Sequence, residues 1–249
     1  MDPFEKLLSD FNQLIIEERN SMNVEIDTEK MDSFKKTIDE LQHVKNKFKD
    51  KHSCLQDTAV KDIIRFEYAK GGESIHRGYY CPNLVYDLVV GNAKRGRLYK
   101  RKPQPGKFTY EYGFDREGRL LRVRKTTEFT ASTGQFNEEF LLYEEDAVYS
   151  VCFHHTSNLE VVSKCIYDSG KVTRYERSLF LLQHAELYSE EYSYENGMPS
   201  HVSIFNVMPS IHLYEEQKYM IKCSDEGEIK KLTGGSVNNG VWDQQSYRF

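Results

Sequence analysis

The stretch GFDREGRL, residues 113–120, decides how the rest of the chain is interpreted. A tyrosine-rich run that ends at Phe114 leads into it. Asp115 suits the first position of a type I turn, and Gly118 suits the position where the chain returns with a positive φ. The stretch therefore predicts a β-hairpin whose second strand begins near Leu120.

Similar turn residues recur along the chain at steps of 22 to 30 residues, between runs of alternating aromatic and β-branched residues. The aligned turn positions are Gly72, Gly96, Gly118, Asp146, Gly170, Gly197 and Gly227. A recurrence of this length indicates a repeated hairpin. We therefore predict an antiparallel β-meander of about 12 to 16 strands, and a sheet that long must be curved or closed.

Two amphipathic helices are predicted ahead of the strands. Apolar residues recur at helical spacing in residues 3–20 and again in residues 28–50. From about residue 60 the spacing changes to the alternation that is typical of strands. The sequence thus predicts a mainly β protein with an N-terminal α-hairpin, in two domains: a helical hairpin at 1–58 and an antiparallel β-repeat domain at 59–249.

Composition indicates a soluble, cytoplasmic protein. The 249 residues contain no apolar run of the roughly 18 residues that a membrane span needs. The N-terminal MDPFEKLLSDFNQ carries acidic residues and does not resemble a signal peptide. Five cysteines, an odd number with no C-x-x-C pair, favour reduced thiols over a disulfide framework or a zinc site. We therefore expect no cofactor and no metal.

No catalytic motif is present, since G-x-S-x-G, a P-loop and a dinucleotide fingerprint are all missing from the sequence. The chain is therefore predicted not to be an enzyme. One alternative stays open, a small-ligand-binding protein or hydrolytic enzyme on a curved sheet. It would use Cys152 with His154 as nucleophile and base, or the carboxylates of 138–139 and 144–146. The simpler interpretation is that these side chains pack in the sheet or solvate its edge.

Charge is distributed unevenly along the chain. Residues 61–125 hold 16 Lys or Arg against 7 Asp or Glu, whereas residues 126–249 hold 9 against 19. The basic stretch at 92–102 offers phosphate contacts, and Tyr99 within it offers a ring on which a base can stack. A nucleic-acid-binding module is thus a second alternative. The acidic remainder would repel a polyanion, so nucleic acid is not the expected partner.

Two segments carry a resemblance to a known repeat. Residues 110–120 read Tyr-x-Tyr-x-Phe-Asp-x-x-Gly-Arg-Leu, and residues 167–172 read Tyr-Asp-Ser-Gly-Lys-Val. They resemble the YD repeats of RHS-type toxin shells, although this chain is far shorter than such shells. Small intracellular β-repeat proteins of this kind are similar to the immunity proteins and antitoxins encoded beside bacterial polymorphic toxins. The resemblance implies a bacterial protein that binds and occludes a toxin.

The acidic part of the chain contains the predicted binding surface. Residues 186–217 include six glutamates, interleaved tyrosines and no Lys or Arg. Aromatic side chains serve as anchors and carboxylates steer a basic partner, so we expect a non-enzymatic protein that occludes a basic toxin domain such as a nuclease. The predicted partner-binding residues are Tyr188, Glu190, Glu191, Tyr192, Tyr194, Glu195, Tyr214, Glu215 and Glu216. Alternatively, alternate residues pack a core and the glutamates only solubilise the other face.

Overall fold

The computed structural model describes residues 28–72, 76–89, 96–180, 186–208, 213–238 and 241–248. Its helices are α1 Thr28–Phe48, α2 His52–Asp62 and a single helical turn, α3 Tyr86–Val89, with a short 3-10 helix at Gly78–Tyr80. Helix α1 confirms the helix predicted at 28–50. The helix predicted at 3–20 lies outside the described residues.

The described part of the chain contains thirteen strands in antiparallel meander order. This confirms a mainly β fold, and the number lies within the predicted range. The strands are β1 Arg65–Lys70, β2 Arg97–Tyr99, β3 Thr109–Phe114, β4 Leu120–Lys125, β5 Asn137–Tyr143, β6 Ala147–Phe153, β7 Leu159–Asp168, β8 Lys171–Leu179, β9 Glu186–Glu195, β10 Met198–Met208, β11 Leu213–Cys223, β12 Ile229–Asn238 and β13 Val241–Arg248.

The residues group into two compact units. We call Leu41–Leu179 the middle unit, and Met1–Glu40 together with Phe180–Phe249 the end unit. The strand order is β2-β1-β3-β4-β5-β6-β7-β8 in the middle unit and β9-β10-β11-β12-β13 in the end unit. Within the described residues the end unit is an open meander, and the middle unit is one from β3 to β8, with β1 between β2 and β3 at its edge. The two-domain division at residue 58 stays a prediction.

The predicted repeat is confirmed from Gly118 onward. Each of the five turn positions from Gly118 to Gly227 joins two strands that pair with each other, from β3–β4 to β11–β12. The repeat also predicts a strand at residues 84–90, ahead of the turn at Gly96, and this prediction is wrong because Tyr86–Val89 forms a helical turn. A short apolar run such as LVYDLVV fits both periods, and periodicity alone does not distinguish them. Helix α2 was not predicted either.

The sheet of the middle unit is buried on both faces. Tyr110, Tyr112 and Tyr175 are 0% exposed on one face. There the 3-10 segment approaches so closely that a Cβ on Gly78 would lie 2.5 Å from the Tyr110 ring. On the other face the His52 ring of α2 stacks on Phe153 with the ring centroids 4.6 Å apart.

The end unit packs the first half of α1 against one face of its sheet. Met31, Phe34 and Ile38 recur at helical spacing and are buried. The Phe34 ring lies 5.3 Å from the Phe205 ring and 6.1 Å from the Tyr214 ring, measured between centroids. Lys30, one turn earlier, places its Nζ 3.9 Å from the Phe205 ring centroid.

All five cysteines are free thiols in this structure, with Cys81 and Cys165 buried and Cys54 exposed. Of the helices that the structure describes, none is long and apolar enough to cross a membrane.

Candidate functional site

The predicted partner-binding residues on β9 alternate between the two faces of the end unit's sheet. Tyr188, Glu190 and Tyr192 share one face, and they are 4%, 0% and 7% exposed. Tyr194 is half-buried on the same side, while Glu191 is half-buried and Glu195 exposed on the other. The structure thus brings together only part of the predicted set.

Glu190 is enclosed rather than presented to solvent. The Tyr188 and Tyr192 hydroxyls each donate a hydrogen bond to one of its two carboxylate oxygens. The i, i+2 spacing places both phenols beside the carboxylate, because residues two apart lie on one face of a strand. A buried carboxylate held in this way stabilises the strand locally but cannot reach a partner without rearrangement.

The same face carries further polar side chains on β10, β11 and β13. We call it the tyrosine–carboxylate face; its members are Tyr188, Glu190, Tyr192, Asn206, Glu215, Gln217, Tyr219, Asp243, Gln245 and Tyr247. None of these ten residues is Lys, Arg or His. Exposure varies across the face. Four members, Tyr188, Glu190, Tyr192 and Tyr219, are buried, five are half-buried, and Asp243 on β13 is exposed.

Hydrogen bonds connect the members of the tyrosine–carboxylate face. Glu215 accepts bonds from the Asn206 amide at 3.3 Å and the Gln217 amide at 3.0 Å. The Gln245 carbonyl oxygen accepts bonds from two tyrosine hydroxyls, Tyr219 at 3.2 Å and Tyr247 at 2.7 Å. Tyrosine and amide donors thus orient these acceptors, and the Glu215 carboxylate keeps further acceptor capacity. Such a surface suits a ligand rich in N–H donors.

The remaining predicted residues have structural partners on the opposite face. Tyr214 packs beside Phe34, and Glu216 forms ion pairs with Lys30 at 3.2 Å and Lys218 at 3.0 Å. Burial opposes ionisation of Glu216, but the two lysines lower its pKa. Whether any of the nine residues binds a partner stays a prediction.

Sequence reasoning did not single out the members of the tyrosine–carboxylate face on β10 and β13, or Gln217 and Tyr219 on β11. A signal was present, since Asp243, Gln245 and Tyr247 alternate with period two, as do Glu215, Gln217 and Tyr219. Only strand pairing shows that these runs and β9 belong to one face, because register decides which residues are neighbours.

Cys152 and His154, the nucleophile and base of the enzyme alternative, are not paired in the structure. Burial raises the pKa of the Cys152 thiol to about 12, so this thiol is protonated at neutral pH. The His154 ring lies in the following turn, where its Nδ1 is 2.8 Å from the Thr156 hydroxyl. Within the described residues no hydrogen bond joins it to Cys152, and no group of three His, Cys, Asp or Glu side chains is placed to hold a metal ion.

The first candidate carboxylate pair, Glu138 and Glu139, is separated as well. Glu138 and Glu139 point to opposite faces of β5, where Glu138 contacts His52 and Glu139 contacts His76. Glu144 and Glu145 are exposed at the β5–β6 turn. Adjacent residues of a strand cannot share one site on the same face.

Glu139 belongs to a buried cluster with His76 and Arg77. Its Oε1 lies 2.8 Å from His76 Nε2 and 2.8 Å from Arg77 Nε. The hydroxyls of Ser163 and Ser150 approach the same His76 Nε2, at 3.1 Å and 3.3 Å. Carboxylate and hydroxyls meet one ring nitrogen, so the ring cannot relay a proton between them. The cluster is also closed to solvent, and we assign it a structural role.

The basic stretch is partly neutralised inside the middle unit. Arg97, Lys100 and Arg101 are exposed, but Lys102 forms a 2.7 Å ion pair with Glu111. On the same side of the sheet Arg124 contacts Glu111 at 3.5 Å and Glu138 at 2.9 Å. Pairing between basic and acidic residues therefore accounts for part of the charge polarity seen in the sequence.

Comparison of the chain with protein-family models, with curated proteins and with solved structures finds no match.

Proposed function

We propose that the protein binds a basic protein partner through the tyrosine–carboxylate face. One observation carries the proposal: ten polar residues from four strands share one face, none of them is basic, and six of them are half-buried or exposed. Arg and Lys side chains have only N–H donors, so they complement such a surface by charge-assisted hydrogen bonds and cation–π contacts.

A partner would first contact the tyrosine–carboxylate face at its β13 end. Asp243 is exposed, and Gln245 and Tyr247 beside it are half-buried, whereas Glu190 is buried. An arginine of the partner would reach Asp243 and Glu215 first, and Glu190 would act only by holding Tyr188 and Tyr192 in place. No reaction is assigned to this face.

The resemblance of residues 110–120 to YD repeats supports a more specific form of the proposal. The protein would then be a bacterial cytosolic immunity protein or antitoxin whose partner is a basic toxin domain, such as a nuclease. It would block the toxin sterically, with carboxylates in place of the substrate's phosphates. Favourable charge would speed association and make it sensitive to salt.

A pull-down from lysate of the source organism, with the full chain as bait at low and moderate salt, tests the proposal. The test variant is Glu215→Gln with Asp243→Asn. The matched control is Glu191→Gln with Glu195→Gln, which removes the same charge from the opposite face of the sheet. We expect one stoichiometric basic partner, released by salt and bound at least about tenfold more weakly by the test variant only.

Two results would contradict the proposal. A partner whose retention is unchanged in Glu215→Gln with Asp243→Asn would exclude this face as the binding surface. A partner lost only from the control variant would move the interface to the opposite face, around Glu191 and Glu195.

A further inference from the structure

Three side chains of the middle unit form a linear hydrogen-bonded series that sequence motifs did not reveal. The Ser157 hydroxyl lies 2.9 Å from Nδ1 of His52, and Nε2 of the same ring lies 3.0 Å from Oε2 of Glu138. A hydroxyl and a carboxylate thus occupy the two different nitrogens of one imidazole. This is the connectivity of a nucleophile, a base and an orienting carboxylate.

The partners of Glu138 determine which ring nitrogen carries the proton. Arg124 Nε lies 2.9 Å from Oε1, and the Gln56 amide donates to Oε2. A carboxylate accepts hydrogen bonds only, so His52 must donate its Nε2–H to Glu138. Nδ1 is then a free acceptor in the neutral ring, and the Ser157 hydroxyl donates to it. The tautomer therefore places the basic nitrogen next to the hydroxyl.

The His52 ring is held in this orientation by packing. It stacks on Phe153 with an interplanar angle of 21° and meets Phe140 edge-on at 68°. The Glu138 side chain is 5% exposed and the His52 side chain 14% exposed, whereas Ser157 is exposed. The base is thus fixed and partly shielded, while the hydroxyl remains accessible to a molecule in solution.

The backbone at Ser157 provides an independent observation. In the His154–Asn158 turn, His154 N–H bonds to Asn158 O and Ser157 N–H bonds to His154 O. The turns at 115–119 and 224–228 have the same two hydrogen bonds. Their fourth residues are Gly118 and Gly227, with φ of 78° and 83°, whereas Ser157 has a φ of 68°.

A serine thus occupies a left-handed position that glycine occupies in both equivalent turns. Backbone strain of this kind concentrates at functional sites, and a glycine at this position would have no side chain to contact His52.

We infer that Ser157, His52 and Glu138 form a catalytic triad for acyl transfer from esters to water. Ser157 Oγ attacks the ester carbonyl carbon while its proton moves to His52 Nδ1. The bond to the alcohol oxygen then breaks, and that oxygen takes the proton from His52. Water attacks the acyl-serine, gives its proton to His52, and the bond from the acyl carbon to Oγ breaks as Oγ regains a proton.

Each member of the triad has a distinct role in this reaction. Glu138 accepts the hydrogen bond from Nε2–H throughout and so stabilises the imidazolium. The exposed position of Ser157 favours a small ester, or one carried at the surface of a larger molecule. This site is independent of the tyrosine–carboxylate face, since the two lie in different units.

The test uses the full chain with a fluorophosphonate probe and with p-nitrophenyl acetate. The probe's phosphorus would bond to Oγ with loss of fluoride, and mass spectrometry of peptides would locate the adduct. The variants are Ser157→Gly, which removes the nucleophile while relieving the backbone, and His52→Gln. The control is Ser169→Gly, since Ser169 is also exposed with a φ of 50° but bonds to Asp168 rather than to a histidine.

We expect an adduct at Ser157 in the native chain and in Ser169→Gly, and none in Ser157→Gly. Ester hydrolysis should fall to the buffer rate in Ser157→Gly and at least about a hundredfold in His52→Gln. Absence of an adduct at Ser157 would overturn the inference. So would labelling or hydrolysis that persists at the native rate in folded His52→Gln, because the contact would then only fasten α2 to the turn.

Discussion

Ser157 and Gly118 occupy the same position in two turns with identical backbone hydrogen bonds, and both have a positive φ. A residue with a Cβ is strained in this conformation, whereas glycine is not. The comparison isolates the conformational cost, because a Cβ at Gly118 would meet no atom within 4 Å. The substitutions Ser157→Gly and Gly118→Ser therefore measure how much a serine in this conformation lowers the free energy of unfolding.

Ser157→Gly relieves about 1 kcal/mol of backbone strain but also removes one exposed hydrogen bond to His52. We therefore expect the free energy of unfolding to rise by less than about 1 kcal/mol. Gly118→Ser should lower it by about 1 kcal/mol. Urea unfolding followed by circular dichroism measures both changes. If Ser157→Gly were clearly destabilising while Gly118→Ser behaved as expected, the hydrogen bond to His52 would outweigh the backbone strain at Ser157.

At the scale of elements, alternation and turn chemistry predicted most strands but not every helix. Residues 28–48 have apolar side chains at unambiguous helical spacing over several turns, and α1 forms there. Helix α2 has a much weaker pattern and buries only Ala59. It is positioned by His52 and Gln56, whose partner Glu138 is more than 80 residues away in the chain. No local pattern reveals such a contact.

Phe34 is one of the buried residues that pack the first half of α1 in the end unit. Phe34→Ala should lower the free energy of unfolding by about 3–5 kcal/mol, because it empties the space between Phe205 and Tyr214. Chemical denaturation of the variant measures this loss. Lys36→Ala, at an exposed position of the same helix, is the control and should change stability by less than about 0.5 kcal/mol. Equal effects of the two substitutions would mean that α1 does not depend on this packing.

At the scale of the whole molecule, the buried cluster of Glu139, His76 and Arg77 makes stability sensitive to acid. Burial opposes ionisation of Glu139, but His76 and Arg77 lower its pKa from 4.5 to about 2. Burial also lowers the pKa of His76 below its ordinary value of 6.5, although Glu139 opposes this shift. In both cases the unfolded chain takes up a proton before the folded chain does as the pH falls. Stability is therefore complete above about pH 6.5 and declines below it.

As the pH is lowered, we expect the urea concentration at the unfolding midpoint to decrease slightly between pH 6.5 and pH 4.5. It should decrease steeply between pH 4.5 and pH 2, where protonation of Glu139 removes about 3 kcal/mol of the free energy of unfolding. Unfolding titrations from pH 8 to pH 2 measure this profile. Glu139→Gln should be less stable at pH 7 and lose the steep acidic part. Glu144→Gln, at an exposed turn, should follow the native profile. A native-like slope in Glu139→Gln would show that other groups cause the acid sensitivity.

The sequence by itself determined the antiparallel meander, the strands around the turns from Gly118 to Gly227, and helix α1. These features depend on alternation, helical spacing and turn residues that act within a few positions of the chain. It also indicated that the acidic, tyrosine-rich strand β9 was unusual. The sequence could not show whether Glu190 faces solvent, because it does not determine which face of β9 is buried. On the buried face the Tyr188 and Tyr192 phenols enclose this carboxylate.

Only the tertiary structure decided the composition of both candidate sites. Register aligns Glu190, Gln217 and Asp243 on one face across strands that are separated by turns of different lengths. Packing of α2 on the sheet brings His52 to Glu138 and Ser157, which lie 86 and 105 residues further along the chain. Contacts of this range arise from the burial of whole elements, and burial is a property of the folded chain rather than of any local run of residues.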